Sequence, residues 1–254
     1  MTPRIQIYDT YEAMSDAAAE AIAHRLAARP GLRLALPTGH TPLLMYRRLA
    51  ALTRERGLRW DRARVFLLDE YLGLGADDPG SFRRYIAEHF LRHLDEPPAL
   101  DSLDGRAADP DAECARYEAA IAAGGLDLVV LGVGRNGHIG FNEPGSPFTS
   151  RTRVVTLAPE TRAANAPDFG GDPAAVPARA LTVGIATILA GREVLVLAAG
   201  SAKAEAVERA LAGPVDPAVP ASALQRHPRV TWLLDREAAA RLPEVTSVRG
   251  GAGE

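Results

Sequence analysis

The chain has 254 residues, a length that suits one large domain able to bury roughly 70–75% of its unfolded surface. Hydrophobic residues make up 47% of the chain and charged residues 24%, which is ordinary for a soluble globular protein, and no apolar run approaches the roughly 18 residues of a membrane span. The net charge of −3 gives no electrostatic footprint for nucleic acid or an anionic membrane. A lone cysteine excludes an internal disulfide framework. The lone cysteine and the lack of an apolar signal-peptide core together predict a cytoplasmic protein.

The first half of the chain alternates short apolar runs with helical patterns. A strand at 5–8 precedes a helix for which Asp9 and Glu12 resemble a capping box, and a second strand at 32–36 ends in a tight loop. In that loop Thr41 is predicted to cap the next helix and Pro42 to be its first residue. The further predicted elements are a strand at 65–68 followed by polar residues 69–71, a helix capped by Ser81, a connection at 95–109, a helix at 111–123 and a strand at 126–131.

The second half continues this alternation. Its predicted elements are a short strand at 154–157, a mobile lid segment at 161–177, a strand and helical turn at 180–190, a strand at 194–199, a turn and helix at 200–211, a strand at 230–234, a helix at 236–242 and a frayed tail at 244–254. Three prolines and two adjacent glycines mark the lid segment. The alternation predicts an α/β fold with a doubly wound, mostly parallel sheet and helices on both faces, forming a single domain over residues 1–243.

Polar or glycine-rich segments follow four of the predicted strands, at 38–41, 69–71, 136–143 and 200–203. Because the carboxyl ends of parallel strands lie on one side of a sheet, where open α/β sheets bind ligands, we expect these segments to meet. The run at 126–131 is apolar apart from Asp127, which predicts burial on both faces. Among the glycines that follow it, Gly134 is a position where the backbone turns sharply or lets a ligand approach closely.

Two of these segments open helices and are candidate anion sites. Thr38, Gly39, His40 and Thr41 offer backbone N–H groups and hydroxyl donors at a helix start. Lys203 places a cation in the first turn of another helix, where the helix dipole disfavours it, and this favours a ligand role. The alternative is that both are ordinary capped turns. Neither pattern matches a dinucleotide or P-loop motif, so neither cofactor is indicated.

Asp69 is a candidate general base. It follows the buried run 65–68, and a carboxylate at the mouth of a buried strand loses solvation, which raises its pKa. The alternative is a helix cap or a loop salt bridge.

His138 lies two residues after Asn136 and five before Glu143, an arrangement typical of a proton shuttle in which a carboxylate and an amide orient an imidazole. A structural histidine and a metal ligand are the alternatives, although no second histidine or cysteine at ligand spacing supports a metal. A serine nucleophile is not indicated, since no G-x-S-x-G is present.

Taken together, these segments resemble the glucosamine-6-phosphate deaminase (glucosamine-6-phosphate isomerase) family, within the 6-phosphogluconolactonase superfamily. The resemblance extends over about residues 5–242, and its motifs are LPTGHTP at 36–42, LDEYLGL at 68–74, GVGRNGHIGFNEP at 132–144, SRTRVVTL at 150–157, LTVGIATIL at 181–189, GSAK at 200–203 and PASALQRHP at 220–228.

The resemblance implies a modified Rossmann-like fold and a cofactor-independent conversion of glucosamine 6-phosphate and water to fructose 6-phosphate and ammonia. It implies that His138, oriented by Glu143 and Asn136, opens the sugar ring, and that Asp69 moves a proton from C2 to C1. The substrate and its 6-phosphate are then held by a set of six residues: Thr38, Gly39, His40, Thr41, Gly134 and Lys203.

Three departures from the family pattern stand out. Asn136 replaces an aspartate found in many members, so Glu143 alone would balance an imidazolium. Pro167 stands where the lid often carries a phosphate-binding arginine, and Arg162 is a possible substitute. Arg153 is kept but Val155 replaces a basic residue, so activation by an N-acetylated sugar phosphate is not expected.

Rival interpretations are a deaminase of another hexosamine phosphate such as the galactosamine epimer, a 6-phosphogluconolactonase, and a non-catalytic sugar-phosphate sensor. A lactonase needs no C2 base of the Asp69 kind, and a sensor of this superfamily carries a helix-turn-helix that the sequence does not show. The family includes monomers and hexamers, so a homo-oligomer is possible.

Overall fold

The computed structural model describes residues 3–243, so the tail at 244–254 and its predicted fraying lie outside the described residues. Most of the strands are four to six residues long and mainly apolar. In chain order the strands are β1 (Arg4–Tyr8), β2 (Arg33–Leu36), β3 (Arg64–Leu67), β4 (Asp69–Tyr71), β5 (Ala99–Asp101), β6 (Leu128–Gly132), β7 (Arg153–Thr156), β8 (Arg179–Thr182), β9 (Val194–Ala198) and β10 (Val230–Asp235).

Helices connect most of these strands. They are α1 (Tyr11–Ala28), α2 (Leu43–Arg56), α3 (Phe82–His89), α4 (Pro110–Ala122), α5 (Pro159–Asn165), α6 (Ile185–Leu189) and α7 (Ala204–Leu211), with short 3-10 turns that include Ala166–Phe169, Ser201–Lys203 and Pro220–Arg226. Within residues 3–243 no helix is both long and apolar enough to cross a membrane.

Seven strands form the main sheet in the order β1-β10-β9-β6-β2-β3-β5, and every pairing in it is parallel. The strand β6 lies in the middle of this order, with β9 on one side and β2 on the other. The predicted doubly wound, mostly parallel sheet is therefore confirmed.

The two faces of the main sheet carry separate cores. Leu128 and Val130 of β6 join one core with residues of α1, α2 and α3, whereas Val129 and Leu131 join the other with residues of α4, α6 and α7. Successive strand residues point to opposite faces, so an apolar run with no polar alternation must be covered on both sides. This confirms the two-faced burial predicted for 126–131.

A smaller antiparallel sheet has the order β4-β8-β7. The sequence predicted residues 69–71 to be a loop, and this was wrong because Asp69 pairs with Thr182, and Tyr71 with Ala180, in a ladder whose partner strand lies far along the chain. The residues after β3 therefore leave the main sheet and begin another one.

Four further features of the fold differ from the prediction. Thr10 rather than Asp9 caps α1, accepting a hydrogen bond from the Ala13 N–H at 3.1 Å. Thr41 makes no cap bond, because α2 begins at Leu43 directly after Pro42. The connection at 95–109 contains the short edge strand β5, and 236–241 forms turns rather than a helix, since the Ala240 N–H donates to the Glu237 carbonyl and the Leu242 N–H donates to the Ala239 carbonyl, each three residues back rather than four.

The lid segment at 161–177 runs from α5 through the turn Ala166–Phe169 to the residues before β8. Its Phe169 ring lies edge-on to Tyr71, with centroids 5.3 Å apart, and its Asn165 amide donates to the Tyr71 hydroxyl at 2.8 Å. The segment therefore packs on the small sheet, and its mobility stays a prediction.

Candidate functional site

Three of the polar segments lie side by side at one edge of the main sheet. The strand β6 pairs with β2 and with β9, all parallel, so the loops that follow them are neighbours. These loops carry 38–41, 133–144 and 200–203. A cleft of about 510 Å³ borders the site and is lined in part by His40, Thr41 and Gly200. The predicted meeting of the loops follows directly from this strand order.

The loop after β6 holds a chain of three polar side chains. The Nδ1 atom of His138 lies 2.8 Å from the Oδ1 atom of Asn136, and the Asn136 amide donates to Glu143 Oε2 at 2.9 Å. His138 Nδ1 lies 3.8 Å from Glu143 Oε2, beyond hydrogen-bond distance. The amide therefore lies between the imidazole and the carboxylate. The sequence had instead suggested that the amide lies beside them.

This arrangement fixes the tautomer of the histidine. The backbone N–H of His138 donates to Asn136 Oδ1 at 3.2 Å, and because that group can only donate, the amide oxygen must face it. The same oxygen faces Nδ1 of the ring, which must then carry a hydrogen when the imidazole is neutral. The free lone pair is on Nε2, where a proton can be accepted from a ligand.

The electrostatic environment keeps His138 largely uncharged. Burial lowers the pKa of His138, the charge of Glu143 opposes that effect, and Lys203 lowers the pKa further. A neutral imidazole with one donor and one acceptor nitrogen is suited to moving a proton in either direction.

Gly134 makes room for this imidazole. A Cβ atom on Gly134 would lie 2.2 Å from Cε1 of His138, closer than any real contact. This clash explains why residue 134 is a glycine. The substrate contact predicted for Gly134 is a separate point and stays a prediction.

Asp69 enters the site from the small sheet. Its side chain is 7% exposed, and an ideal Cβ atom on Gly140 would be 3.4 Å from its Oδ2 atom, so the carboxyl group lies against the loop that carries His138. Among residues 3–243 no side chain or backbone N–H donates to it. Burial, followed by the nearby charge of Glu70, raises the pKa of Asp69 to about 8. A carboxylate that is poorly solvated and unpaired is a strong base.

Glu70, by contrast, has every acceptor site occupied. Its carboxylate accepts from the backbone N–H groups of Tyr71, Phe82 and Arg83 and from the Ser81 hydroxyl. These bonds join β4 to the start of α3, where Ser81 is the predicted cap and accepts from the Arg84 N–H. Glu70 therefore fixes the strand that presents Asp69.

Tyrosine hydroxyls hold the loop at 37–41 from behind. Tyr46 donates to the Pro37 carbonyl, Tyr85 donates to the Gly39 carbonyl, and Tyr11 donates to the Thr41 carbonyl at 2.9 Å. Burial raises the pKa of Tyr46 and Tyr85, so both hydroxyls stay protonated and donate. With its carbonyls bonded to these hydroxyls, the loop can present N–H groups to an anion.

Lys203 lies close enough to His138 to affect its titration and is half-buried at the end of the turn Ser201–Lys203. Burial lowers the pKa of Lys203, and the charge of Arg135 lowers it further. A partly desolvated ammonium beside an arginine favours an anionic ligand, since no carboxylate pairs with it among the described residues.

The residues at the three departures have definite surroundings. Arg162 donates to the carbonyls of Val176 and Ala174, so in this structure it ties the lid segment to itself rather than reaching the phosphate loop. Pro167 is the second residue of the turn Ala166–Phe169 and has no N–H to donate. Arg153 donates to Asn142 Oδ1 at 2.8 Å and to Ser146 Oγ at 3.1 Å, which ties it to the loop that carries Glu143.

Sequence reasoning missed Thr161 and the three tyrosines. The Thr161 hydroxyl donates to Glu143 Oε1, and Thr161 and Glu143 are 18 positions apart. No short motif links these residues to their partners, so only the folded chain reveals them. Within the described part of the chain no group of three or more metal-ligating side chains is close enough to hold an ion.

Comparison with known proteins gives a consistent result. The family model for glucosamine-6-phosphate isomerases/6-phosphogluconolactonase matches residues 8–232. A glucosamine-6-phosphate deaminase of Bacillus velezensis is 48% identical over 231 residues, covering 90% of this chain and 95% of that protein. A solved monomeric glucosamine-6-phosphate deaminase is 44% identical with a TM-score of 0.90, covering 93% of this chain and 99% of that one. A solved 6-phosphogluconolactonase of Trypanosoma brucei is 26% identical with a TM-score of 0.73, covering 95% and 99%.

Proposed function

The chain belongs to the glucosamine-6-phosphate isomerase/6-phosphogluconolactonase family, and on that premise we propose that it is an enzyme that converts glucosamine 6-phosphate and water to fructose 6-phosphate and ammonia. The observation that carries the proposal is Asp69, a buried and unpaired carboxyl group beside the loop of His138. Isomerisation needs a base that removes a proton from carbon, in addition to a group that opens the sugar ring.

Ring opening is assigned to His138. Its Nε2 atom accepts the proton of the substrate's O1 hydroxyl and delivers it to the ring oxygen, which breaks the C1–O5 bond and leaves an open-chain aldehyde. The Nδ1–H bond to Asn136 and the carboxylate of Glu143 beyond it stabilise the imidazolium that forms in between.

The isomerisation is assigned to Asp69. Its carboxylate takes the C2 proton of the aldehyde and returns it to C1, which gives a C2 imine that water hydrolyses to the ketose and ammonia. With a pKa of about 8, roughly one-tenth of the free enzyme has this group ionised near pH 7, and the ionised form is a correspondingly strong base.

The 6-phosphate is assigned to the loop at 38–41 and to Lys203. The tyrosine bonds behind the loop and the partly desolvated ammonium both favour a dianion here. No cofactor is called for, because each step of this reaction is a proton transfer or an addition of water.

The lactonase is the less well supported rival function, whereas the rival hexosamine phosphate is a question for measurement. A 6-phosphogluconolactonase has no use for a C2 base, and the solved lactonase is less similar, at 26% identity, than the solved deaminase, at 44%. A hexosamine phosphate that is epimeric at C4 would meet the same Asp69 and His138, so the choice between the gluco and galacto substrates is made by measurement. The single domain at 1–243, a cytoplasmic location and a possible homo-oligomer stay part of the proposal.

The test is ammonia release from glucosamine 6-phosphate and from galactosamine 6-phosphate, together with exchange of the C2 hydrogen in deuterated water. We expect turnover of the gluco substrate, and loss of both exchange and turnover in Asp69→Asn with binding retained. Tight binding of either sugar without turnover would indicate a sensor, and retained exchange in Asp69→Asn would overturn the base assignment.

A further inference from the structure

Thr161 connects the lid segment to the polar chain of the histidine. It lies on α5, is 4% exposed, and donates its hydroxyl hydrogen to Glu143 Oε1. The other oxygen of Glu143 accepts from the Asn136 amide, whose oxygen in turn faces the His138 ring. Four side chains thus form one continuous hydrogen-bonded series from the lid to the imidazole.

Both oxygens of Glu143 are engaged in this series. A carboxylate with one donor on each oxygen cannot turn about its terminal bond without losing a charge-assisted hydrogen bond. If the Thr161 donor is absent, only the Asn136 amide restrains the carboxylate. The amide and the imidazole then lose part of the support that fixes their orientation, because each is held by the group before it.

The lid and the histidine belong to different parts of the fold. The helix α5 follows β7 of the small sheet, whereas Asn136, His138 and Glu143 lie on the loop after β6 of the main sheet. The contact between Thr161 and Glu143 therefore depends on where the lid lies relative to the main sheet.

We infer that Thr161 is a positioning residue that makes ring opening depend on the placement of the lid. With the lid seated as in this structure, its hydroxyl holds Glu143, and through Asn136 it holds the imidazole with Nε2 directed at the substrate. This inference rests on the proposed function, since it concerns the histidine assigned to ring opening.

The test compares Thr161→Val, which removes the hydroxyl and keeps the shape, with Thr161→Ser, which keeps it. We expect Val to lower kcat about tenfold or more while KM changes little, and Ser to restore most of kcat, because a hydrogen bond to a charged group is lost only in Val. The matched control is Thr156→Val, at an exposed residue whose side chain makes no hydrogen bond among the described residues. An unchanged kcat in Thr161→Val, or an equal loss in Thr156→Val, overturns the inference.

A double-mutant cycle tests whether Thr161 acts through Glu143. In a Glu143→Ala background, Thr161→Val is expected to cause no further loss, since the acceptor of its hydrogen bond is already gone. A further loss of the same size would mean that Thr161 acts by another route and would overturn the inference. Thr161→Ala serves in the cycle if the valine variant folds poorly.

The Nδ1 hydrogen of His138 provides a readout that is independent of turnover. In ¹⁵N-resolved spectra the wild type is expected to show this hydrogen, held by Asn136, in slow exchange with water, and Thr161→Val is expected to show it in faster exchange because the series behind Asn136 is less restrained. If the wild type releases no ammonia, the proposed function fails, and an unchanged exchange rate in Thr161→Val overturns the inference separately.

Discussion

Replacing Asp69 by Asn should abolish activity and also change how stability depends on pH. The carboxyl group is buried without a hydrogen-bond donor among residues 3–243, and its pKa is raised from 3.8 to about 8. The folded protein therefore binds this proton more tightly than the unfolded chain. For an acid with a raised pKa, the free energy of unfolding falls as pH rises from the unfolded value to the folded one.

The magnitude follows from the two pKa values. At about 1.4 kcal/mol per pKa unit, the full shift corresponds to about 6 kcal/mol, of which about 4 kcal/mol is lost between pH values near 5 and near 9. An amide carries no charge at any of these pH values. The Asp69→Asn variant should therefore gain stability relative to the wild type as pH rises, by about 4 kcal/mol over this range.

Urea unfolding of both proteins at a series of pH values measures this difference, and the control is Asp95→Asn. Asp95 is exposed and makes no ion pair or hydrogen bond among the described residues, so its variant should follow the wild type. Because the base must be ionised, kcat/KM of the wild type should rise about tenfold per pH unit on the acid side of a pKa near 8 and level off above it. A stability difference that does not vary with pH would refute the reasoning, since Asp69 would then titrate alike in the folded and unfolded chain.

Three further substitutions test the remaining parts of the site. Asn136→Asp places a second carboxylate next to the ring, so the pKa of His138 followed by NMR should rise; no rise would mean that the added charge is neutralised by a proton. Tyr85→Phe releases the Gly39 carbonyl, so KM should increase roughly fivefold with kcat unchanged, and a fall in kcat alone would contradict the phosphate-loop role. Pro167→Arg should lower KM in steady-state assays by adding a phosphate contact from the lid, and an unchanged KM would show that the side chain does not reach the site.

The sequence predicted the main sheet because its strands carry their own signal. The run at 126–131 has no polar residue except Asp127, and only a strand covered on both faces accommodates such a run. Once a parallel sheet was inferred, the meeting of 38–41, 136–143 and 200–203 followed from topology alone. These features depend on local pattern and on one general rule of sheet geometry.

The features that were missed depend on partners far along the chain. Residues 69–71 are too short and too polar to indicate a strand, and they form one only because β8 supplies the other half of the ladder. The Tyr11 and Tyr85 hydroxyls meet carbonyls of the loop 30 and 46 positions away, and nothing in the local sequence marks a tyrosine as a carbonyl donor. The helix predicted at 236–242 was wrong although Asp235 accepts from the Ala238 N–H as a helix cap would, because the bonds of Ala240 and Leu242 reach carbonyls three residues back, which the local sequence does not indicate.

Thr182, which is fully buried, connects the strand of Asp69 to the loop that carries His138. It pairs with Asp69 in the small sheet, and its hydroxyl accepts from the Phe141 N–H in the loop of His138 at 3.1 Å. The base and the histidine loop therefore share one fixed junction whether or not the lid is seated. Among residues 3–243 the Thr161 hydroxyl bonds Glu143, on the histidine side. Loss of the Thr161 hydroxyl should accordingly affect ring opening and not the C2 proton transfer, so Thr161→Val should slow ammonia release from the cyclic amino sugar more than C2 exchange in a substrate that is already open.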